Sequence, residues 1–503
     1  MASPSEWARQ LVDVPQPPLP ASSTWGRTLI LIPAPSIPIP SLWARALVNL
    51  KITSHLYVYR DGRPRRLRPH LYLDGQILDP DSQPPASPST PTLPAGVTLR
   101  PLPGGGPEFW AQFEGSSYPA DPAFFPIIAW YQGARSVQEV QVMRDAGINT
   151  LMALTTDSRG DYIRQVPGMY SIPDYSAMYQ NPGSEVVMYL TGDEPDMGPP
   201  NGWWGAPSAE QMQHVLDRQA GAPSDRPTAT NFGKGILFCF LSKEADASSM
   251  LGIPTGMLGY DVYYHTDDNV RGANEGGALI GITRDMTPDE IGRSHHYGMS
   301  IEKLRRLSQD RVPIFGFVEA GGPFSYNEAP DLIEAGDDTK VPYITIPAML
   351  SAAWHTIIAG ARGIAWFLHT FGGIGETTQI LHQSYYAPVR EAITQFNSRV
   401  HELASVLNRP EAIGLVSTSG HVRHSSRWTP EGIYLMAGWA VPVTMQPNPN
   451  PPPGPVTATF TVAGKTSAVV EVLYESRTLQ MSAGSFTDVF ADKHAIHLYR
   501  IPH

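Results

Sequence analysis

The chain has 503 residues, 42% of them hydrophobic and 17% charged, with a formal net charge of −11 at neutral pH. That length exceeds what one compact core absorbs, so two or three domains are expected, and the acidic balance excludes the basic patch that nucleic acid or an anionic membrane surface requires. The single cysteine, Cys239, excludes an internal disulfide and a multi-cysteine metal site; in the run GILFCF it reads as a small buried hydrophobe.

The N-terminal stretch MASPSEWARQLVDVPQPPLP has no basic segment leading into an apolar core, so no secretory signal is expected. No apolar run is long enough to span a bilayer, so no membrane insertion is expected either. The expected location is cytoplasmic or virion-associated.

Residues 1–78 are proline-rich and carry short alternating apolar stretches, which predicts a small β-rich domain. Within it Asp61-Gly62 lies between alternating apolar residues and predicts a hairpin. The arginines at 60, 63, 65, 66 and 68 read as a solvated or salt-bridged face, and this domain is where a protein assembly partner would attach. Residues 79–121, with DSQPPASPSTPTLPAG, predict a linker.

From residue 122 apolar runs alternate with amphipathic segments, the pattern of βαβ units and a parallel sheet. The runs are FFPIIAWY, INTLMAL, a weak third strand at 168–172, VVMYLTGDE, PTATNFG, MLGYDVYYH, VPIFGFVEAGG and RGIAWFLHTFGG. Eight strands with crossovers predict a (β/α)8 TIM barrel over 122–408. Helix PVREAITQFNSRVHELASVLN seals it, and short strands with turn signals over 409–503 predict an antiparallel β-sandwich.

Strands four and seven each end an apolar run on a glutamate, Glu194 and Glu319, and in a closed barrel both point into one mouth. Glycoside hydrolysis needs two such carboxyls, one to protonate the leaving oxygen and one to attack the anomeric carbon or position water. Around them Trp130 ends strand one, Asn231 strand five, Asp261 and Tyr263 lie on strand six, and His369 ends strand eight. Aromatic faces stack on sugar C–H surfaces and the polar groups read hydroxyls. Trp130 and Tyr131 cannot both face the mouth, because neighbouring strand residues alternate. Trp203-Trp204 form a second aromatic patch, Asp196 reads as a cap, and FGGIGETT reads as a loop over the mouth. No set of histidines and acids has metal spacing, and no cofactor motif is complete, so neither metal nor cofactor is expected.

On these residues the chain resembles the superfamily of retaining glycosidases on (β/α)8 barrels, with the acid/base on strand four and the nucleophile on strand seven. The resemblance implies Glu194 as acid/base, Glu319 as nucleophile, Trp366 as an aromatic platform, Tyr263 or Tyr260 as the tyrosine that hydrogen-bonds the nucleophile, and a polysaccharide or glycoconjugate substrate. One position departs from it. Asp193 stands where the superfamily usually has asparagine, and an adjacent Asp-Glu pair also resembles glycosidases that use the substrate's own N-acetyl group as nucleophile, with Asp193 orienting the acetamido nitrogen. A third expectation is a carbohydrate-binding, non-catalytic virion tail component or adhesin.

Overall fold

The computed structural model describes residues 57–60, 63–66, 71–73, 76–78, 91–174, 182–197, 209–238, 244–321, 332–333, 343–369, 380–446 and 454–503. Cys239, Trp203-Trp204 and the FGGIGETT segment lie outside them. The chain divides into a unit over Met1–Ser87 and a unit over Pro88–His503. In the first, two antiparallel hairpins are described, Tyr57–Arg60 with Arg63–Arg66 and Leu71–Leu73 with Gln76–Leu78. Arg60 pairs with Arg63 in the first of these; the expected turn residues Asp61-Gly62 lie outside the described residues.

The second unit is built on eight strands: β1 (Ile127–Trp130), β2 (Thr150–Met152), β3 (Tyr170–Ile172), β4 (Tyr189–Asp193), β5 (Thr228–Phe232), β6 (Met257–Tyr260), β7 (Ile314–Glu319) and β8 (Gly363–Phe367). Their order is β3-β2-β1-β8-β7-β6-β5-β4 and every pairing is parallel. Parallel bridges Ser171 to Val186 and Asp174 to Leu190 join β3 to the β4 side and close the sheet into a barrel. Helices α1 (Val137–Asp145), α2 (Gly160–Arg164), α3 (Ala209–Gly221), α4 (Glu244–Leu251), α5 (His295–Ser308), α6 (Ile346–Ile358) and α7 (Ala387–Leu407) occupy the crossovers and the outer ring. No helix is described between β3 and β4.

Strand alternation sorts the apolar residues into two layers. Ile128, Trp130, Met152, Ile172, Leu190, Ala229, Phe315, Phe317, Ala365 and Phe367 fill the barrel interior. Their neighbours Ile127, Ala129, Leu151, Leu258, Val318, Ile364 and Trp366 face the helices. Gly259 is required by this packing, since a Cβ there would sit 2.1 Å from Cζ of Phe315. Residues of the expected linker serve the same unit. Trp110 and Tyr118 join the interior cluster, Tyr118 Oη lies 2.7 Å from Thr150 Oγ1, and Gly104 packs on Pro313 just before β7, so this stretch closes the N-terminal end of the barrel.

The C-terminal strands are β9 (Glu411–Ile413), β10 (Val416–Ser419), β11 (Val422–Thr429), β12 (Gly432–Trp439), β13 (Val456–Val462), β14 (Ala468–Val472), β15 (Arg477–Met481), β16 (Ser485–Phe490) and β17 (Ile496–Ile501). They form a large antiparallel sheet, β15-β14-β17-β12-β11-β9, and a three-stranded one, β10-β13-β16. Between the sheets pack Leu435, Trp439, Phe460, Phe490 and Tyr499, the sandwich core expected from the strand spacing. Thr98–Arg100 adds an edge strand on β9, so this sandwich also draws on chain from before the barrel.

Charged groups pin the sandwich to the barrel. Buried Glu411 meets Arg100 and Arg305, and Arg305 donates to Ala359 O at 2.7 Å and to Asp310 at 2.8 Å. Arg423 on β11 reaches Glu302 and the carbonyl of His295 on α5, a route kept open by Gly298, where a Cβ would meet Arg423 Nη1 at 2.4 Å. Removing one partner of a buried ion pair leaves the other charge uncompensated. Glu411→Ala is therefore expected to cost about 3–5 kcal/mol, read from urea unfolding midpoints at neutral pH. An unchanged midpoint would show that water compensates the two arginines.

Candidate active site

Strand β4 runs apolar through Leu190 and then slips register by one residue at Thr191, where pairing passes from Ala229 with Leu190 to Thr230 with Gly192. A bulge re-aims the residues that follow it. Thr191 Oγ1 secures it with contacts to Ala229 O at 3.1 Å and Thr230 Oγ1 at 3.0 Å. Beyond the bulge Asp193 accepts a hydrogen bond from Asn231 Nδ2 at 2.9 Å, and the Glu194 N–H donates to Asn231 O at 2.8 Å. Glu194 takes the left-handed conformation, φ +47°, which is uncommon for a residue with a side chain and marks a site held against strain.

Asp196 holds that turn in place. Its carboxylate accepts N–H groups of Gly233 and Ile236, both at 2.8 Å, which is the capping role expected of it. Gly233 lets β5 pack against the turn, since a Cβ there would meet Met197 Cγ at 2.5 Å.

Three carboxyls line the ends of β4 and β6. Asp193 is exposed and Glu194 half-buried, whereas Asp261, just past β6, is buried and close enough to bear on the titration of Glu194. Burial, with Asp193 and Asp196 adding like charge, pushes the Glu194 carboxyl up to about 7 against the opposing Asp261 hydrogen bond and Lys234. Burial together with Glu194 and Asp193 raises Asp261 well above the carboxylate range. Protein crowding and Asp174 raise Asp193 also, while the Asn231 N–H draws it down. Lys234 Nζ, the nearby cation, is held by Asp267 at 2.5 Å and Glu275 at 2.9 Å.

Glu319 ends β7 on the parity of Phe315 and Phe317, the residues that fill the barrel interior. Its side chain is fully buried, Oε1 accepting from the His265 N–H at 3.0 Å and Oε2 from Tyr297 Oη at 2.6 Å. Burial raises its carboxyl to about 7, opposed by these hydrogen bonds. The tyrosine that holds Glu319 is thus Tyr297 on α5, in place of Tyr263 or Tyr260. Tyr260 instead donates to the Tyr297 carbonyl at 2.9 Å. Buried Tyr263 is within electrostatic reach of Asp261, Glu194, Glu319 and Asp193.

The structure corrects the expectation for Trp366. It faces outward, fully buried against α7, and donates to Asn397 Oδ1 at 3.0 Å; Asn397 in turn donates to Ala146 O at 2.7 Å. Trp366 is a structural pin and offers no platform in the mouth. Trp130 points inward and packs edge-on to Phe317 at 5.0 Å, leaving Tyr131, 40% exposed, on the rim beside buried His369 at 5.3 Å. Asp193, Glu194, Asn231, Asp261 and Tyr263 therefore come together around β4 to β6, Glu319 is buried at the end of β7, and Trp130 and His369 belong to the β1–β8 side. Tyr297 and Lys234 escaped the sequence reading: one lies mid-chain in a helix and the other follows a glycine after β5, and neither has a local motif. Among the described residues no group of acids, histidines or cysteines could hold a metal ion.

No protein-family model and no curated protein sequence matches the chain. Solved structures of similar layout include an alpha-amylase from Anoxybacillus, assigned to a new glycosyl hydrolase subclass (10% identity, covering 75% of this chain and 98% of that one, TM-score 0.38). Others are a β-galactosidase from Rahnella sp. R3 (11%, 63% and 59%, TM-score 0.39) and an endo-β-1,4-mannanase from Thermotoga petrophila (11%, 75% and 94%, TM-score 0.28). At such values the likeness is one of general layout, and the (β/α)8 barrel rests on its own strand order and closure.

Two outcomes follow from this geometry. Trp366→Ala should cost about 3–5 kcal/mol by emptying a fully packed position, measured by thermal or urea unfolding; a loss of sugar affinity with unchanged stability would return Trp366 to the mouth. Glu319 titrates near 7 in the fold, above its ordinary 4.5. Its contribution to stability is therefore complete below about pH 4.5 and lost as pH rises through about 7. Wild type should lose stability between about pH 5 and pH 8, and Glu319→Gln should remove on the order of 3 kcal/mol of that fall. Parallel pH–stability curves for the two proteins would show Glu319 ionised throughout.

Proposed function

We propose that this protein is a glycoside hydrolase in which Glu194 protonates the leaving glycosidic oxygen. One observation carries this: a half-buried carboxyl at the C-terminal end of barrel strand β4, raised to about 7, sits beside an exposed second carboxyl, Asp193. A general acid must hold its proton at working pH and still reach the substrate, and Glu194 meets both demands.

Accessibility favours Asp193 as the partner. It is exposed and fixed by Asn231 through Oδ1, and among the described residues no other side chain holds its carboxylate, which leaves an acceptor for the N–H of a 2-acetamido group. The acetamido carbonyl oxygen then attacks the anomeric carbon as Glu194 gives its proton to the departing oxygen. Water opens the resulting oxazolinium ring with Glu194 as base, restoring the proton. The substrate class is a glycan or glycoconjugate bearing 2-acetamido sugars.

A second reading keeps Glu319 as nucleophile in a retaining two-glutamate mechanism. Its interior parity on β7 and the Tyr297 hydroxyl on Oε2 favour it. Full burial with both oxygens engaged weighs against it, because a nucleophile has to touch the anomeric carbon.

Hydrolysis of aryl glycosides with and without the 2-acetamido group, by wild type and three variants, separates these. Glu194→Gln and Asp193→Asn should each lower kcat by about 10²–10⁴ on acetamido substrates, with Glu319→Gln within about tenfold. A comparable loss in Glu319→Gln with little in Asp193→Asn would establish the two-glutamate mechanism. No turnover by wild type on any glycoside, together with measurable glycan binding, would make the barrel a carbohydrate-binding component.

A further inference from the structure

The end of β1 departs from strand alternation. Trp130 points into the barrel against Phe317, so an extended Tyr131 would turn outward to the helices. Tyr131 instead takes φ +52°, a left-handed conformation that is an outlier for a bulky side chain and clusters where a site holds the backbone under strain. The turn is secured from two directions. The Tyr131 N–H donates to Met152 O at 2.9 Å, and the fully buried Gln132 donates from Nε2 to Trp130 O and Tyr131 O, both at 3.2 Å.

The ring placed by this turn is 40% exposed. Among the described residues it is the exposed large hydrophobic at the strand ends of the barrel; the others lie on α3 or on the sandwich with its edge strand and loops. It meets the buried His369 ring at 5.3 Å and 83°, an edge-to-face contact that takes up at most one face of the tyrosine. From there aromatic rings run toward the acids: His369 to Phe367 at 6.1 Å, and Phe367 to Tyr263, two residues beyond Asp261, at 5.0 Å. β1 lies three steps round the closed sheet from β4, so Tyr131 and the Asp193-Glu194 pair stand on opposite sides of the mouth.

We propose that Tyr131 is the sugar-stacking residue of this site: its ring is the apolar wall on which the C–H face of a pyranose lies while the polar edge of the sugar turns to the acids. This rests on the glycosidase reading and adds to it a residue that decides which sugars are held. A ring already fixed by its backbone turn and by a buried glutamine loses little freedom when the sugar arrives, which favours binding. The wall selects pyranoses whose stacking face carries axial C–H groups, because an axial hydroxyl on that face would be stripped of water without gaining a partner. Stacking of this kind is made equally before and during bond cleavage, so it acts on KM and leaves kcat alone.

The test compares wild type with Tyr131→Phe, Tyr131→Leu and Tyr131→Ala, in kinetics on the aryl glycosides named above and in calorimetric binding of the corresponding methyl glycosides. A methyl glycoside has no aromatic ring, so its binding reports contact with the sugar. Phenylalanine keeps the flat face and should stay within about twofold of wild type in KM and Kd. Leucine keeps apolar bulk without the face and alanine removes both; each should raise KM and Kd about tenfold, with kcat within about threefold and its pH profile unmoved. Should alanine unfold the turn, leucine against phenylalanine still decides. A leucine variant equal to wild type would overturn the proposal, since bulk alone would suffice, and so would a fall in kcat at unchanged KM, since the ring would then act through the acids. Wild-type turnover with KM and Kd unchanged in all three variants would overturn it and leave the glycosidase standing. Binding without turnover, weakened in the leucine variant, would keep the wall and remove the hydrolysis. Wild type that neither binds nor turns over any of these glycosides would overturn both.

Discussion

Carboxyls held over a filled apolar barrel cannot all be ionised, and the site depends on that constraint. Trp130, Phe317 and Phe367 occupy the interior, so the acids at the ends of β4, β6 and β7 sit on a dry floor with limited access to water. Two of them are satisfied structurally: Asp196 by the N–H groups of Gly233 and Ile236, Glu319 by His265 N–H and Tyr297. The rest, Asp193, Glu194 and Asp261, are crowded together with burial and like charge raising each of them, which is how a carboxylic acid such as Glu194 stays protonated near neutrality.

The barrel supplies this arrangement through its backbone. Closure brings the ends of β4, β5, β6 and β7 to one face although their residues lie far apart in the chain. The bulge at Thr191 then turns the Asp-Glu pair, and Asn231 fastens both members, one by its amide and one by its carbonyl. The sandwich and the segment around Trp110 and Tyr118 secure the opposite end and flank of the barrel, so the mouth is left to the acids.

The parts of this that were legible in the sequence share one property: they were encoded locally. The run VVMYLTGDEP announces a buried strand that ends on acids, and the alternation of apolar runs with amphipathic segments announces the parallel barrel. What escaped was set by tertiary contacts. Trp366 reads as a sugar platform from its place near the end of strand eight, but the neighbours Ala365 and Phe367 take the interior and parity sends it outward to Asn397. The partner of Glu319 proved to be Tyr297, a helix residue with no motif, and the proline-rich stretch before residue 121 gave no sign that Thr98–Arg100 would pair with β9. Asp261 was legible as a polar residue near the site, but its closeness to Glu194 was not, because that depends on how β4 and β6 are placed across β5.

The most direct test of Glu194 as proton donor is the leaving-group dependence of the Glu194→Gln variant, measured on aryl glycosides whose phenols range in pKa from about 4 to about 10. A phenol of low pKa departs without help and one of high pKa needs a proton. The account predicts a small deficit relative to wild type for the most acidic phenols, growing steadily with leaving-group pKa. A deficit of the same size across the series would contradict it, since Glu194 would then shape or bind the substrate without protonating the oxygen that leaves.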